Sequence, residues 1–463
     1  MTALEWLDEA AFAERAAALE VPLGAYACDE GVHYLFLEPA GVVALSRKLE
    51  SVRELPSLAA ARPLFSWDER EIAQERSVRF IGAPDERAFR GRAGEIPAAV
   101  VAHGAGVMEI VVGPVHAGII EPGRFTFSSG GENVVHLDAQ LGYEHRGVER
   151  MLEGREARSA APPIARICGG CSAARSHAYA LALERLARLE IEPRVERARL
   201  ILCELERVYN HLADIAASAS AAGFGPGFAQ GMALKERAMR LCAVASGHRL
   251  LFDAIVPGGI GANVLREPAA LRGELDELAA ACEAYLVRLF ANGSVVSRWQ
   301  RTGHVAKETA HAFGAVGPAH RASGGTRDVR TFAPYGAYRE LAPHTMAEKG
   351  GDAFARCAVK RDELRDSFRL IREALAGLSE TQLPAATAVA VPAGRAYAAV
   401  EGARGTETLA VHVDESGRLA RVHAISASYR NWPIVARAME GNIIPDFPLV
   451  NKSFNLCYAC ADR

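Results

Sequence analysis

The pattern of apolar and polar positions predicts a small mixed α and β region at the start of the chain. Residues 7–19 repeat apolar side chains at helical spacing, and residues 32–37 are typical of a strand. A second helix is expected at residues 41–49. The charged, proline-containing residues 67–97 are expected to connect this first domain, residues 1–90, to the rest of the chain.

Residues 91–463 are predicted to place strands at both ends and helices between them. Residues 100–118 favour strands, and residues 124–140 predict a hairpin that turns at Ser-Ser-Gly-Gly. Residues 406–425 predict a second hairpin, with its turn at residues 414–417. We therefore expect an α+β protein: a small N-terminal α+β domain, then a β-containing segment, a central helical bundle and a C-terminal β-hairpin region.

The centre of the chain, from Glu149 to about residue 378, has the periodicity of packed helices. Further helices are expected at residues 234–252, 269–290 and 359–378. The helix that starts at Pro193 has an apolar stripe spaced for packing in a bundle, formed by Ile201, Leu205, Val208, Leu212 and Ile215. The same helix has a polar stripe, formed by Cys203, Arg207, Asn210 and Asp214. This second stripe is either a solvated face or the lining of a polar internal site.

The composition is that of a globular protein, with 50% hydrophobic and 24% charged residues, and 463 residues predict two or three domains. A net charge of −3 gives no indication of nucleic-acid binding. No stretch of about eighteen residues is continuously apolar, and the acidic N-terminus is unlike a signal peptide. We expect a cytoplasmic chain that reaches a membrane only through partners. Without a Gly-x-Gly-x-x-Gly motif, we expect no NAD or flavin.

The nine cysteines are the main chemical feature of the sequence, and their odd number fits a disulfide framework poorly. Four of them form two Cys-x-x-Cys pairs, Cys168 with Cys171 and Cys457 with Cys460. The first pair precedes a helical segment, whose N-terminus lowers thiol pKa values. The other five cysteines are dispersed and are expected to be small buried hydrophobes: Cys28, Cys203, Cys242, Cys282 and Cys357.

Spacing alone leaves three interpretations of the two pairs open. Each pair can be a separate redox pair or an accident of sequence. All four cysteines can hold a structural zinc or an iron–sulfur cluster, because thiolates suit both, although the pairs are too far apart for a compact zinc module. The third interpretation is a functional soft-metal site between two halves of a fold, with terminal and bridging sulfurs.

Three motifs in this sequence resemble NiFe-hydrogenase large subunits. They are Arg-Ile-Cys-Gly-Gly-Cys at residues 166–171, Cys-Tyr-Ala-Cys-Ala-Asp-Arg at residues 457–463 and His-Arg-Gly-Val-Glu at residues 145–149. The resemblance is closest to the energy-converting class related to respiratory complex I, and it covers nearly the whole chain. Residues 67–72 resemble part of a shortened 30-kDa subunit of complex I. Further similar segments lie at residues 113–118, 121–123, 317–324, 401–405, 431–433 and 445–449.

The resemblance implies a NiFe centre held by the four paired cysteines. Cys168 and Cys457 would bind nickel terminally, while Cys171 and Cys460 would bridge nickel to an iron that carries cyanide and carbon monoxide ligands. Such a Lewis-acidic pair can polarise H₂ toward heterolytic cleavage. The implied function is a catalytic subunit that interconverts H₂ with protons and electrons.

The resemblance also implies two catalytic residues, Glu149 and Arg404. Glu149 would pass protons from a terminal cysteine, because a carboxylate within hydrogen-bond reach of a thiolate can remove its proton. Arg404 would lie over the metals. The alternatives are a surface acid at a strand-to-helix junction for Glu149 and a salt-bridged hairpin residue for Arg404.

Three positions depart from the usual pattern of the family. Asn455-Leu456 stand where Asp-Pro is usual before the third cysteine, and Arg175 stands where many members have histidine. These departures support an alternative function, a metal-free or quinone-reacting module of a complex I-related ion-translocating assembly. Retention of all four cysteines favours a loaded site.

The resemblance implies partners as well. They are a small subunit with a 4Fe–4S cluster, antiporter-like integral-membrane subunits and maturation proteins, with the chain peripheral on the cytoplasmic face of the inner membrane. In the family a protease removes a C-terminal tail three residues beyond the last cysteine, which is the position of Arg463. We expect residues 454–463 to be buried between the bundle and the hairpin region, with all four sulfurs within a few Å.

Overall fold

The structure is a computed structural model that describes residues 3–49, 53–91, 97–116, 120–378 and 382–463. The first part contains a four-stranded sheet, two helices and a two-stranded parallel pair: β1 (Ala3–Trp6), α1 (Glu9–Ala18), β2 (Pro22–Ala27), β3 (Gly31–Glu38), β4 (Gly41–Lys48), β5 (Glu54–Pro56), α2 (Ser66–Arg76) and β6 (Arg79–Ile81). The sheet order is β1-β4-β3-β2, with only β1 and β4 parallel.

The helix predicted at residues 41–49 is wrong, because β4 is a central strand of this sheet. One of its faces packs on the helices through Val43 and Leu45, and the other contributes Val42 and Ala44 to the main core of the protein. A strand that is buried on both faces has a continuous run of apolar residues. The two-residue alternation that usually identifies a strand is then absent from the sequence.

The prediction of a connector at residues 67–97 is wrong for its first part. Residues 67–76 belong to helix α2, which carries buried acids. Asp68, Glu69 and Glu71 are each at most 3% exposed. Asp68 binds Arg430, and Glu71 binds Arg90 and Arg463, so these acids reach into the protein rather than into water. The many charged residues of this segment suggested a solvated connector. The sequence alone does not show that distant arginines pair with its acids inside the protein.

The next segment forms a three-stranded antiparallel sheet from β7 (Val107–Val112), β8 (Arg124–Gly130) and β9 (Asn133–Gln140). The hairpin predicted at residues 124–140 is confirmed. Only part of residues 100–118 forms a strand, and residues 117 and 118 lie outside the described residues.

The central part is mainly helical, as expected. Its elements are α3 (Val148–Leu152), α4 (Ala161–Ala165), α5 (Ser172–Ala187), α6 (Pro193–Ala221), α7 (Gly225–Ser246), the strand pair β10 (Ile255–Val256) and β11 (Gly259–Ile260), α8 (Pro268–Phe290), α9 (Gly293–Trp299), α10 (Lys307–Ala312), α11 (Gly317–Ala322), α12 (Val329–Phe332) and α13 (Ala353–Ala376).

Helix α6 is the axis of this bundle and packs against α7 and α13. The five residues of its predicted apolar stripe are all fully buried. Its polar stripe is buried too, since Arg207 and Asp214 have no exposed surface. Polar side chains inside a bundle need internal hydrogen-bond partners. The burial of this stripe therefore shows that it lines a polar internal site and is not a solvated face.

The last part contains the antiparallel sheet β12 (Gly394–Gly402), β13 (Gly405–Val413) and β14 (Leu419–Ile425), followed by α14 (Ala427–Met439), α15 (Phe447–Phe454) and α16 (Tyr458–Asp462). The hairpin predicted at residues 406–425 is confirmed as β13 and β14. Within the described parts of the chain, no helix is both long and apolar enough to cross a membrane.

Candidate metal centre

The two cysteine pairs, far apart in sequence, meet at one point in the fold. The sulfurs of Cys168, Cys171, Cys457 and Cys460 all lie within 4.8 Å of one another. Cys168 Sγ is 3.4 Å from Cys457 Sγ, and Cys171 Sγ is 3.8 Å from Cys460 Sγ. Tetrahedral coordination with metal–sulfur bonds of about 2.3 Å separates sulfurs by about 3.8 Å, so this spacing fits shared metal ligation. None of the cysteines forms a disulfide.

Helix α6 holds the loop that carries the first cysteine pair. Tyr209 Oη donates to the carbonyl of Gly169 at 2.9 Å, and Asn210 Nδ2 donates to the carbonyl of Gly170 at 2.8 Å. A Cβ atom on Gly170 would lie 3.2 Å from Arg404 Nη1 and 3.3 Å from Asn210 Oδ1. Glycine at this position lets the loop and the arginine approach closely.

The second pair is fixed by contacts along the whole terminal segment. Asn455 adopts a left-handed conformation with φ of 50°, and its Nδ2 donates to Asp214 Oδ1 at 2.5 Å. The Cys457 amide donates to Ser428 Oγ at 3.0 Å. The Asp462 carboxylate accepts from two backbone amides of the β9–α3 loop. Residues 454–463 are therefore ordered and largely buried, as expected.

Two buried guanidinium groups face the sulfurs and favour thiolates at Cys457 and Cys460, whereas hydrogen bonds among the four cysteines, together with burial, raise the pKa of Cys168 and Cys171 well above its usual range. Hydrogen bonds from the neighbouring cysteines, together with the charge of Arg404, hold the pKa of the Cys457 thiol well below its usual range. Hydrogen bonds from Cys168 and Cys171, with the charge of Arg175, lower the pKa of Cys460. Thiolates are the form that binds metals, so Cys457 and Cys460 are suited to ligation, and the convergence of four sulfurs fits a soft metal centre.

Arg404 lies in the turn between β12 and β13 and points toward the site. Its Nη1 donates to Asn210 Oδ1 at 2.8 Å, and its Nε donates to the Asn455 carbonyl at 2.5 Å. Asp214, which also pairs with Lys360 at 2.8 Å, lies 3.4 Å from Arg404 Nη2. The guanidinium thus joins helix α6 to the C-terminal segment, and Asn210 connects it to the first cysteine loop.

Glu149 lies in the first turn of α3, and its carboxylate makes a different set of contacts. It accepts from the Ala424 amide at 2.9 Å and binds His423 at 3.0 Å and Arg463 at 3.3 Å. Despite its burial, the charges of His423, Arg463 and Arg421 hold the pKa of Glu149 well below its usual range. Within the described residues, none of its hydrogen bonds reaches a cysteine. The carboxylate also lines a cavity of about 730 Å³.

Sequence reasoning missed two carboxylates behind the cysteines. Glu206 accepts from the amides of Ala173 and Ala174 at 2.6 and 3.1 Å, and burial raises its pKa to about 7. Burial also raises the pKa of Glu407 to about 7, although Arg175 binds it. Glu206 shares the spacing of the polar stripe on α6, which was a usable signal. Glu407 lies in a fully buried strand, and no local pattern marks it.

Comparisons with known proteins agree with this geometry. The family of the 49 Kd subunit of respiratory-chain NADH dehydrogenase matches residues 222–389 and 381–463. Formate hydrogenlyase subunit 5 of Escherichia coli (strain K12) is 27% identical over 438 residues, which covers 89% of this chain and 77% of that protein. A carbon monoxide-induced hydrogenase of Rhodospirillum rubrum is 30% identical over 356 residues, with coverages of 76% and 99%.

A solved structure has the same fold. A chain of the membrane-bound sulfane sulfur reductase, an archaeal respiratory membrane complex, aligns with a TM-score of 0.72 and 26% identity, covering 78% of this chain and 99% of that one. The chain therefore belongs to the family of the 49-kDa subunit of respiratory-chain NADH dehydrogenase, and within it to the NiFe-hydrogenase large subunits of the complex I-related class.

Proposed function

We propose that this chain is the catalytic subunit of a NiFe hydrogenase that interconverts H₂ with protons and electrons. The observation that carries the proposal is the convergence of four cysteine sulfurs within 4.8 Å at the junction of helix α5 and the C-terminal segment. Four relatives that are named as hydrogenase or formate hydrogenlyase subunits support it.

Cys168 and Cys457 would hold nickel terminally, and Cys171 and Cys460 would hold nickel and a diatomic-ligated iron together. When bound, the metal pair supplies the Lewis acid that polarises H₂. The chain supplies a largely buried pocket: Cys460 has no exposed surface, and Cys168 and Cys171 are at most 9% exposed. Cys457 is partly exposed, and burial of the other three sulfurs strengthens the interactions with the charges that face them.

Arg404 and Glu149 would have separate catalytic roles. Arg404 is held by Asn210 and the Asn455 carbonyl, so its planar fork stays beside the sulfurs. Glu149 would carry protons toward the cavity that it lines. Because His423 and Arg463 bind its carboxylate in this structure, proton acceptance requires that one of these contacts opens.

The alternative is a metal-free or quinone-reacting subunit of a complex I-related assembly. The departure at Asn455-Leu456 supported this alternative. The structure, however, gives a reason for asparagine at position 455 that does not depend on the loss of a metal. Its left-handed backbone is a conformation that asparagine adopts more readily than most residues, and its side chain binds Asp214. The complete set of sulfurs favours the loaded enzyme.

We propose the same partners that the resemblance implies: a small subunit with a 4Fe–4S cluster, antiporter-like membrane subunits and maturation proteins. One relative is named as a subunit of a membrane-bound hydrogenase, and the similar solved structure comes from a respiratory membrane complex. These names support association with a membrane complex, and we propose that the chain is peripheral on the cytoplasmic face of the inner membrane, as the resemblance implies. Residues 1–90 would form the 30-kDa-like domain and residues 91–463 the hydrogenase domain.

The test is H₂-dependent dye reduction by the protein purified with its partner subunits. We expect activity in the wild type and none in Cys457→Ser, because a hydroxyl is a poor ligand for a soft metal. Cys282→Ser is the matched control, since Cys282 is a buried cysteine of α8 that lies outside the cluster. An inactive, correctly assembled wild type, or an active Cys457→Ser variant, would overturn the proposal.

A further inference from the structure

Arg175 contacts the cysteine cluster through a buried guanidinium. It lies in the first turn of α5, one helical turn after Cys171, and has no exposed surface. Its Nη2 donates to Cys460 Sγ at 3.3 Å. A charged donor at this distance withdraws electron density from the sulfur, and hydrogen bonds of this kind set the potentials of metal–thiolate sites.

Glu407 fixes the orientation of this guanidinium. Glu407 Oε2 accepts from Arg175 Nη2 at 2.7 Å and from Nε at 3.2 Å, while Oε1 accepts from the Ala427 amide at 3.2 Å. The carboxylate therefore links strand β13 and helix α14 to the first turn of α5. With two of its nitrogens bound, the planar guanidinium has one orientation.

One donor of Arg175 remains without a partner. Its Nη1 is buried and makes no hydrogen bond to any residue that the structure describes. Burying an unpaired charged donor is costly, so an acceptor on a bound group would offset the cost of burying this one. Beside four sulfurs, that acceptor would belong to the metal centre.

We infer that Arg175, oriented by Glu407, is a positioning residue that tunes the electron density of the Cys460 thiolate. This inference rests on the proposed function, because it assigns Cys460 to the metal centre. Arg175 withdraws electron density from the sulfur, and the negative charge of Glu407 limits that withdrawal. Changes at the two residues should therefore act in opposite directions.

The test is infrared spectroscopy of the mature holoenzyme with its small subunit, recorded at alkaline pH to keep Glu407 ionised. In Arg175→Met the thiolate donates more strongly to the metals, so the iron-bound carbon monoxide band should move to lower wavenumber and the midpoint potential should fall. In Glu407→Gln the uncompensated Arg175 should move the band to higher wavenumber and raise the potential.

The matched control is a buried arginine–glutamate pair elsewhere in the fold. Arg199 binds Glu184 at 2.5 Å and is equally buried, but its hydrogen bonds go to Glu184, Val256 and Gly259. Arg199→Lys should lower the melting temperature and leave the infrared bands in place. Arg175→Lys keeps the charge and serves if the methionine variant fails to fold. Its band should shift, because lysine cannot make the paired contacts.

The outcomes separate the inference from the proposed function. If the wild type shows no cyanide or carbon monoxide bands, the proposed function fails. If the wild-type bands are present but Arg175→Lys and Glu407→Gln leave bands and potential unchanged, the ion pair is only structural and the inference is wrong. Shifts of the same sign in Arg175→Met and Glu407→Gln would also contradict it.

Discussion

The properties of single residues at this site depend on nearby charges as much as on the chemistry of sulfur. Hydrogen bonds among the cysteines and the positive charges of Arg404 and Arg175 favour the thiolates of Cys457 and Cys460, and each arginine is held by a buried acid, Asp214 or Glu407. Such an acid keeps its arginine in place while limiting the positive charge that the sulfurs experience. The sequence indicated Arg404 through its resemblance to the family, whereas Glu407 could be found only from the fold.

The proposed proton transfer through Glu149 predicts a specific loss of turnover. Glu149→Gln should retain nickel but reduce H₂ turnover about 100-fold or more, because glutamine keeps the shape and cannot carry a proton. The matched control is Glu153→Gln, which lies on the same cavity wall and binds Arg421. Turnover near wild type in Glu149→Gln would place the proton path elsewhere.

Arg404 should be sensitive even to a conservative change. Arg404→Lys should keep the metals but slow H₂ cleavage, because lysine cannot bind Asn210 and the Asn455 carbonyl with one planar group. Metal content by elemental analysis and H₂ oxidation rates check this prediction. Unchanged rates would leave Arg404 as a structural residue of the β12–β13 turn.

At the scale of elements, the site depends on how tightly the β12–β13 turn packs on α11. Gly317 begins α11 with φ of 62°, and a Cβ atom there would lie 2.3 Å from the Arg404 carbonyl oxygen. The three nearest atoms are the carbonyl oxygen and carbon of Arg404 and the Cα of Gly405, all backbone, so a side-chain rotation cannot relieve the contact. The glycine is therefore needed to bring Arg404 toward the cysteines.

Gly317→Ala should destabilise the protein by at least about 2 kcal/mol, through overpacking and a left-handed alanine. The control is Gly273→Ala in helix α8, where a Cβ atom meets nothing within 4 Å. That change should be neutral or stabilising, because alanine favours a helix interior. Melting temperatures measure both effects, and equal stability of the two variants would contradict this account of the turn.

The elements show what periodicity can and cannot predict. The apolar stripe of α6 and the β13–β14 hairpin were predictable because their periods are visible along the chain. Strand β4 was not, since both of its faces are buried, and α2 was not, since its acids are paired with distant arginines. The missing information in each case was a long-range partner.

At the scale of the whole molecule, the first part of the chain holds the segment that carries the second cysteine pair. Arg463 Nη2 lies 2.5 Å from both carboxylate oxygens of Glu71, and Arg463 Nη1 lies 3.3 Å from Glu149. Arg430 and Asp68 form a second buried pair across the same contact. The N-terminal part thus contributes directly to the order of the terminal helix α16.

Glu71→Gln should destabilise the protein by about 3 kcal/mol or more, because it removes one partner of a buried ion pair. Against its burial, Arg463, Arg90 and His423 lower the pKa of Glu71 to about 2. A lowered pKa contributes stability above the ordinary glutamate pKa of about 4.3, and this contribution is lost as pH falls toward 2. The difference between wild type and variant should therefore be largest at neutral pH and vanish in acid.

Unfolding midpoints across this pH range measure the effect. Glu75→Gln is the control, because Glu75 lies on the same helix and pairs with Arg90 and Arg421 but is partly exposed. Glu75→Gln should reduce the free energy of unfolding at neutral pH by less than Glu71→Gln does. An equal cost for both variants, or a Glu71→Gln difference that persists in acid, would show that the Glu71–Arg463 pair does not hold the terminal segment.

The proposed activity depends on a NiFe centre held by the four converging cysteines. The most direct test is metal analysis with infrared spectroscopy on protein produced together with its maturation proteins. We expect about one nickel per chain together with iron, because thiolates bind soft metals, and infrared bands from the cyanide and carbon monoxide of the proposed NiFe centre. Zinc alone at the four sulfurs, or fully matured protein without nickel and without these bands, would contradict it.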